Sequence, residues 1–277
     1  MKTGRVDLHL HSTASDGLLT PSEVVRSALE AGLVAIALTD HDTVAGVEEA
    51  QRAAQGTGLE VIPGVEINSE GEWGDLHFLG YYVDPHDRFL RERLEAMREA
   101  RLGRARKMVR KLAQMGMPLD WEEVRALAGG ESVGRPHIAR ALLQRGYIAS
   151  TQEAFDRYIG NDGPAYVPRL RLTPPEVIEA IHRAGGVAVL AHPAHSGVVD
   201  RIPEFVALGL QGVEVYYPEH GPEDVEVLLD LCRRYGLVAT GGSDFHGPGH
   251  DEGAPLGSVP VPVEAVERLR ALAGKSG

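Results

Sequence analysis

Over its first 87 residues the chain alternates short apolar runs with amphipathic stretches. Residues 6–8 and 34–38 are apolar runs of strand length, and residues 59–67 and 76–83 predict a third and a fourth strand. Between the first two, Thr20-Pro21-Ser22-Glu23 predicts a helix start: Thr as N-cap, Pro at the first helical position and Glu at the third. That helix should run to about Ala31 and stop at Gly32, and a second should occupy about residues 44–54. The pattern then changes. From about Arg88 to Tyr158 only helical spacing occurs, with Leu90, Leu94, Met97, Met108, Leu112 and Met115 as an apolar stripe. Shorter helices are expected near residues 121–128, 136–145 and 152–158. Residues 160–172, with two prolines and two glycines, read as a return connection. Thr173-Pro174-Pro175-Glu176 then repeats the helix-start signature. Strands follow at 187–190, 212–215 and 237–240, and helices at 202–208, 223–235 and 263–272.

Strand–helix alternation implies parallel strands covered by helices. About seven strands suit an α/β fold closed, or nearly closed, into a barrel, with residues 1–87 and 169–277 forming it. An all-helical insertion, residues 88–168, interrupts it. The chain has 277 residues, 43% hydrophobic and 25% charged, which is enough for one large domain with an insertion. It has no apolar run of 18 residues, so no membrane span is expected, and the start MKTGRVDLHLHS lacks a signal-peptide core. The single cysteine, Cys232, excludes an internal disulfide and suits a cytoplasmic protein. Net charge is −12, which would repel nucleic acid if evenly spread. It is not evenly spread: Arg88 to Lys111 holds ten Lys/Arg and three Glu, a stretch able to steer a polyanionic substrate.

The residues with metal chemistry fall just past the apolar strands. His9 and His11 end the first strand, Asp40 and His41 the second, Glu66 the third, and His192 the strand at 187–190. Asp244 and His246 follow the strand at 237–240. In a parallel barrel the carboxyl ends of all strands share one face, where ligands bind. His77, inside the fourth strand, has the alternation to reach the same mouth. A His-x-His pair on a strand aims both imidazoles to one side. Asp244 and His246 would do the same if their segment stays extended. Glu66 can bridge two cations through its two oxygens. Imidazoles mixed with carboxylates suit Mn²⁺, Fe²⁺ or Zn²⁺ rather than Ca²⁺, and one cysteine argues against a thiolate zinc site. Asp42 or Thr43, just before a helix, reads as an N-cap.

The set His9-Leu10-His11, Asp16, Thr39-Asp40-His41, Gly64-Val65-Glu66, Ala191-His192-Pro193 and Ser243-Asp244-Phe245-His246 resembles the polymerase and histidinol phosphatase (PHP) superfamily. The likeness spans nearly the whole chain and is strongest to its stand-alone phosphoesterases, among them nucleoside 3′,5′-bisphosphate phosphatases and 5′→3′ exoribonucleases. It implies a distorted (β/α)₇ TIM-like barrel and two or three divalent metal ions. By the same resemblance His9, His11, Glu66 and Asp244 hold the first metal. Glu66, His77 and His192 hold the second, and Asp16, His41 and His246 the third. Asp40 would then orient an imidazole from outside the ligand set.

Within the insertion, Gly134-Arg135-Pro136-His137-Ile138-Ala139 resembles the segment that grips a substrate phosphate in this branch. The residues agree: Arg135 opens a helix, where free N–H groups bind anions, and a guanidinium binds phosphate bidentately. His137 is a candidate substrate contact and general acid, against a packing or capping role in the first turn. The expected activity is phosphoric ester hydrolysis by a metal-bridging hydroxide. Its substrates would be nucleoside 3′,5′-bisphosphates or short 5′-phosphorylated RNA, with no obligate protein partner. The alternatives are a histidinol-phosphatase-like monoesterase, a metal-dependent amidohydrolase and a non-catalytic, metal-stabilised polymerase-accessory module. Many binuclear amidohydrolases need a carbamylated lysine, and no lysine lies between Lys111 and Lys275. A degenerate accessory module would lack ligands, whereas all nine positions are filled.

Overall fold

Seven strands form one sheet in chain order in the computed structural model, which describes residues 4–71, 74–128, 133–168, 172–250 and 253–275. They are β1 (Arg5–Leu10), β2 (Leu33–Leu38), β3 (Glu60–Gly71), β4 (Gly74–Tyr81), β5 (Val187–Leu190), β6 (Gly212–Tyr216) and β7 (Val238–Gly241). β1 to β3 pair in parallel, as do β5 to β7. β4 runs antiparallel to both its neighbours, which corrects the expectation of parallel strands throughout. The cause is local: β3 and β4 pair out to Gly71 and Gly74. Strands joined so closely can only run antiparallel, because a parallel return needs a crossover of a dozen residues or more. Beyond β7 the chain comes back to β1. Leu10 bridges Phe245, the His11 N–H donates to Phe245 O at 3.0 Å, and Val6 bridges Val261.

The helices are α1 (Pro21–Glu30), α2 (Val47–Ala53), α3 (Arg88–Gln114), α4 (Trp121–Ala128), α5 (Arg135–Gln144), α6 (Thr151–Ala154), α7 (Pro174–Arg183), α8 (Ile202–Ala207), α9 (Pro222–Tyr235) and α10 (Glu264–Leu272). α6 continues into a π-helical turn, Phe155–Ile159. At α1 the Glu23 N–H donates to Thr20 Oγ1 and the Thr20 N–H to Glu23 Oε2, at 3.3 and 2.8 Å. At α7 the Thr173 N–H and hydroxyl both donate to Glu176 Oε2, at 2.8 Å. Each such cap stabilises its helix start by about 1 kcal/mol.

β2 shows why these strands are apolar on both faces. Ala35 and Ala37 pack with Val6, Leu8, Ile62 and Leu79, whereas Ile36 and Leu38 pack with Val24, Val25 and Ala28 of α1 and Ala50 of α2. A strand buried on both sides has room for polar side chains chiefly at its ends.

The chain divides into two compact units, Met1–Leu94 with Arg171–Gly277, and Glu95–Leu170. The first turns of α3 belong to the former, where Arg183 lies over the Phe89 ring at 4.4 Å. The latter has its own core, including Met108, Leu112, Val124, Ile138, Leu142 and Ile159. Met115 is 39% exposed and leaves the apolar stripe, because α3 ends at Gln114. Part of the return connection, residues 169–171, lies outside the described residues. Among the described residues no helix is long and apolar enough to cross a membrane.

Candidate metal centre

Six histidines and three carboxylates meet at one end of the sheet. His9 lies in β1 and His11 just past it, and their rings are 5.1 Å apart, as alternation on one strand requires. His41 follows β2 and bridges Glu66 of β3. His77 pairs with Asn68 near the start of β4. Because β4 is reversed, its start lies where the parallel strands end. His192 follows β5, and Asp244 and His246 follow β7.

The Glu66 carboxylate is the hub. Its Oε2 lies 3.3 Å from His9 Nε2, 3.3 Å from His11 Nε2 and 3.1 Å from His41 Nδ1. Its Oε1 lies 2.9 Å from His77 Nδ1 and 3.4 Å from His192 Nε2. Asp244 Oδ1 is 3.3 and 3.0 Å from His9 and His11 Nε2. A third group surrounds Asp16: His11 Nδ1 at 3.8 Å, His41 Nε2 at 3.9 Å and His246 Nε2 at 3.6 Å. Three sets have ligand atoms close enough to share an ion: His9, His11, Glu66 and Asp244; His11, Asp16, His41 and His246; and His41, Glu66 and His77. His192 joins through Glu66 Oε1.

The donor set fits divalent metal. His9 Nε2, His11 Nε2, Glu66 Oε2 and Asp244 Oδ1 are buried and make no hydrogen bond of normal geometry. Buried polar atoms are nearly always satisfied. A tetrahedron with bonds of about 2.0–2.1 Å has edges of about 3.3–3.4 Å, and the four imidazole–carboxylate separations in this quartet are 3.0–3.3 Å.

Burial opposes charge on His9, His11, His41, Glu66, Asp244 and His246, so those of them that are ionised are held so by their neighbours. Asp244, Glu214 and Glu66 outweigh burial at His9 and hold its imidazole well above the ordinary value. At His11, burial is overcome by the charges of Asp244, 3.0 Å away, and of Glu66, raising the ring to about 9. Burial also works against Glu66 and Asp244, yet the imidazoles around them keep both carboxyls well below the usual range. His41 and His246 are pushed down by burial, to about 4 and about 3. Metal binds ionised carboxylates and neutral imidazoles, so an ion here would displace the protons that the carboxylates favour on His9 and His11.

Other side chains fix the cluster. Glu214 of β6 is fully buried; it accepts from His9 Nδ1 and from the His192 N–H, both at 2.9 Å. Its bond to Nδ1 leaves His9 Nε2 to face Glu66 and Asp244. Reading Glu214 as one more position in an apolar strand misses it; the signal is a lone carboxylate between Val213 and Val215. Tyr217 donates its hydroxyl to Asp244 Oδ2 at 3.1 Å. Asp7 accepts from Ser243 N–H, Ser243 Oγ and Gly257 N–H at 2.9, 2.6 and 2.8 Å, anchoring the residue before Asp244.

Three expectations change. Asp40 does not orient an imidazole; it accepts from Ser12 N–H and from the Ser12 and Ser15 hydroxyls at 2.7, 2.8 and 2.7 Å, and so shapes the loop that carries Asp16. Neither Asp42 nor Thr43 caps α2, which starts only at Val47 behind Gly46. Asp42 instead accepts from Asn68 N–H and Nδ2, and Thr43 Oγ1 from the Ala45 N–H. The segment at Asp244 is not extended: its φ is +54°, and Asp42 and His192 are also left-handed, at +53° and +28°. Such backbone costs roughly 1–3 kcal/mol per non-glycine residue and gathers at functional sites. The turn sends Asp244 and His246 into two different groups.

Arg135 and His137 belong to the second unit. Arg135 opens α5, donates to Asn161 Oδ1 at 2.9 Å and lies over the Phe155 ring. Among the described residues no carboxylate pairs with it. His137 Nδ1 accepts from the Gly134 N–H at 3.0 Å, a first-turn capping contact.

The sequence matches the PHP domain family over residues 7–160. It is 38% identical over 251 residues to a 5′-3′ exoribonuclease of Haemophilus influenzae, covering 89% of this chain and 91% of that one. It is 36% identical over 252 residues to a 3′,5′-nucleoside bisphosphate phosphatase of Chromobacterium violaceum, covering 88% of each. A solved structure from Bifidobacterium adolescentis, assigned as a metal-dependent phosphoesterase, superposes with a TM-score of 0.84 at 34% identity, over 98% of this chain and 97% of that one.

Proposed function

The chain belongs to the PHP domain family, and from that premise we propose that it hydrolyses nucleoside 3′,5′-bisphosphates and short 5′-phosphorylated RNA with two or three divalent cations, Mn²⁺, Fe²⁺ or Zn²⁺. The observation that carries the metal reading is Glu66, whose two oxygens face separate sets of imidazoles. His9, His11, Glu66 and Asp244 would hold one ion, Glu66, His77 and His192 a second, and Asp16, His41 and His246 a third. When bound, such ions polarise phosphoryl oxygens and make a water nucleophilic at neutral pH.

The chain's own residues supply position and charge. Glu214 keeps His9 in one tautomer, and Tyr217 holds Asp244 in place. In hydrolysis the water oxygen forms a bond to phosphorus as the ester P–O bond breaks, and the departing oxygen takes a proton. Arg135 is assigned the charge on a substrate phosphate. His137, with Nδ1 accepting from Gly134, has Nε2 as its proton-bearing atom in the neutral ring and is the candidate donor to the leaving oxygen.

Phosphate release from adenosine 3′,5′-bisphosphate, a short 5′-phosphorylated RNA and histidinol phosphate, side by side with Mn²⁺, tests the substrate class. The first two should be turned over at least tenfold faster than the third. A preference for histidinol phosphate would replace this reading by a simple monoesterase. Glu214→Gln should weaken metal binding by about 10–100-fold with the fold kept, as other losses of a carboxylate behind a ligating histidine do. A metal titration followed by calorimetry measures it, and unchanged affinity would remove Glu214 from that role.

A further inference from the structure

The second unit contains a cationic cavity of about 450 Å³, lined by Lys107, Arg110, Lys111 and Gln114 of α3 and by Tyr166 and Val167 among the residues opposite. Residues 107, 110, 111 and 114 recur at helical spacing and so share one face, while Met108 and Leu112 on the other side enter the core. Two of the four lysines in a chain of net charge −12 are on this face. Among the described residues no carboxylate pairs with Lys107, Arg110 or Lys111. A merely solvated helix face would mix signs; this one does not.

The cavity is also built. Lys111 Nζ donates to Tyr166 O at 2.6 Å and to Pro164 O at 3.3 Å. Arg104, 8% exposed, donates Nε to Val167 O at 2.6 Å and lies over the Tyr166 ring at 5.3 Å. These bonds pin the 164–168 segment to α3, and those of Lys111, made to carbonyls, leave its positive charge uncancelled. Lys107 and Arg110 stay exposed at the rim. From Lys107 to Gln114 the face extends about 10 Å along the helix. That is too long for one phosphate and suits successive phosphates of a chain. A cationic groove beside an aromatic ring is the usual platform for single strands, and the volume admits a nucleotide-sized group.

We propose that this cavity binds the phosphodiester backbone of single-stranded RNA. The inference rests on the proposed activity only in its choice of RNA as substrate class. The test uses metal-loaded full-length protein and a fluorescent, phosphorothioate-linked RNA dodecamer whose linkages resist hydrolysis. Lys107→Glu/Arg110→Glu should weaken binding at least tenfold. The slope of log K against log salt should fall by about 1.4, two phosphate contacts at about 0.7 each. The neutral pair Lys107→Gln/Arg110→Gln should lie between, and kcat/KM for adenosine 3′,5′-bisphosphate should fall by no more than about twofold, the loss of some steering. Unchanged RNA affinity and slope in variants with native circular dichroism would overturn the proposal. So would equal loss on the mononucleotide, or poly-glutamate binding as tightly as RNA. Failure of the phosphoesterase reading is seen separately, as no phosphate release by the wild type, with RNA binding unaffected.

Discussion

Asp244→Asn is expected to reduce kcat by about 10³-fold or more and to lower the tightly bound metal content, with the fold retained. Asparagine is the informative replacement because φ at this position is +54°. An Asn side chain tolerates that backbone, whereas Ala would add strain. The substitution keeps shape and removes charge. Asp244 Oδ1 stands 3.3 and 3.0 Å from the His9 and His11 Nε2 atoms, so its loss leaves one ion short of a bond. Elemental analysis of the purified variant, with its circular dichroism and turnover, measures all three effects. Full metal occupancy with normal turnover would sink the assignment.

Arg135→Ala should lower kcat/KM for adenosine 3′,5′-bisphosphate by roughly 30- to 1,000-fold, about 2–4 kcal/mol, the size expected for one strong donor to phosphoryl oxygen. Its guanidinium is held by Asn161 Oδ1 and the Phe155 ring, neutral partners that leave its charge available to an anion. Metal content should not change, since Arg cannot be a ligand. The loss should be smaller on p-nitrophenyl phosphate, which has no second phosphate to grip. Equal losses would assign Arg135 to the reacting phosphate. No loss on either substrate would remove it from binding.

The residues at the strand ends were legible because chemistry there interrupts apolar runs: His9 and His11 after Val6 and Leu8, His192 after residues 187–190. Their convergence follows from any fold that gathers strand ends. The reversal of β4 was not read, although Gly71 ends β3 and Gly74 begins β4, because residues 59–67 and 76–83 look alike whichever way the second one runs. Glu214 escaped for a different reason. Its partners, His9 Nδ1 and the His192 N–H, lie far away in sequence, and only the folded chain supplies them. Asp42 and Thr43 carry cap-forming side chains, but the turn between them and Val47 moves the helix start out of their reach. Local chemistry proposed the cap, and a longer-range bond to Asn68 took Asp42 instead.

The ladder from Asp7 to Ser243 joins residues 236 positions apart, and it sets an order of events during synthesis. Glu95–Leu170 is one continuous segment with its own core, so the contacts of that core are all available once it clears the ribosome. Those of the seven-stranded sheet are not: β1 emerges first and waits for Ser243, Phe245 and Val261, all made after β7. Until then His9, His11 and Glu66 are nascent side chains facing no Asp244. The quartet of His9, His11, Glu66 and Asp244 can therefore close only after β7 has been made, whereas a chain stopped after β6 would already carry His41, Glu66 and His77.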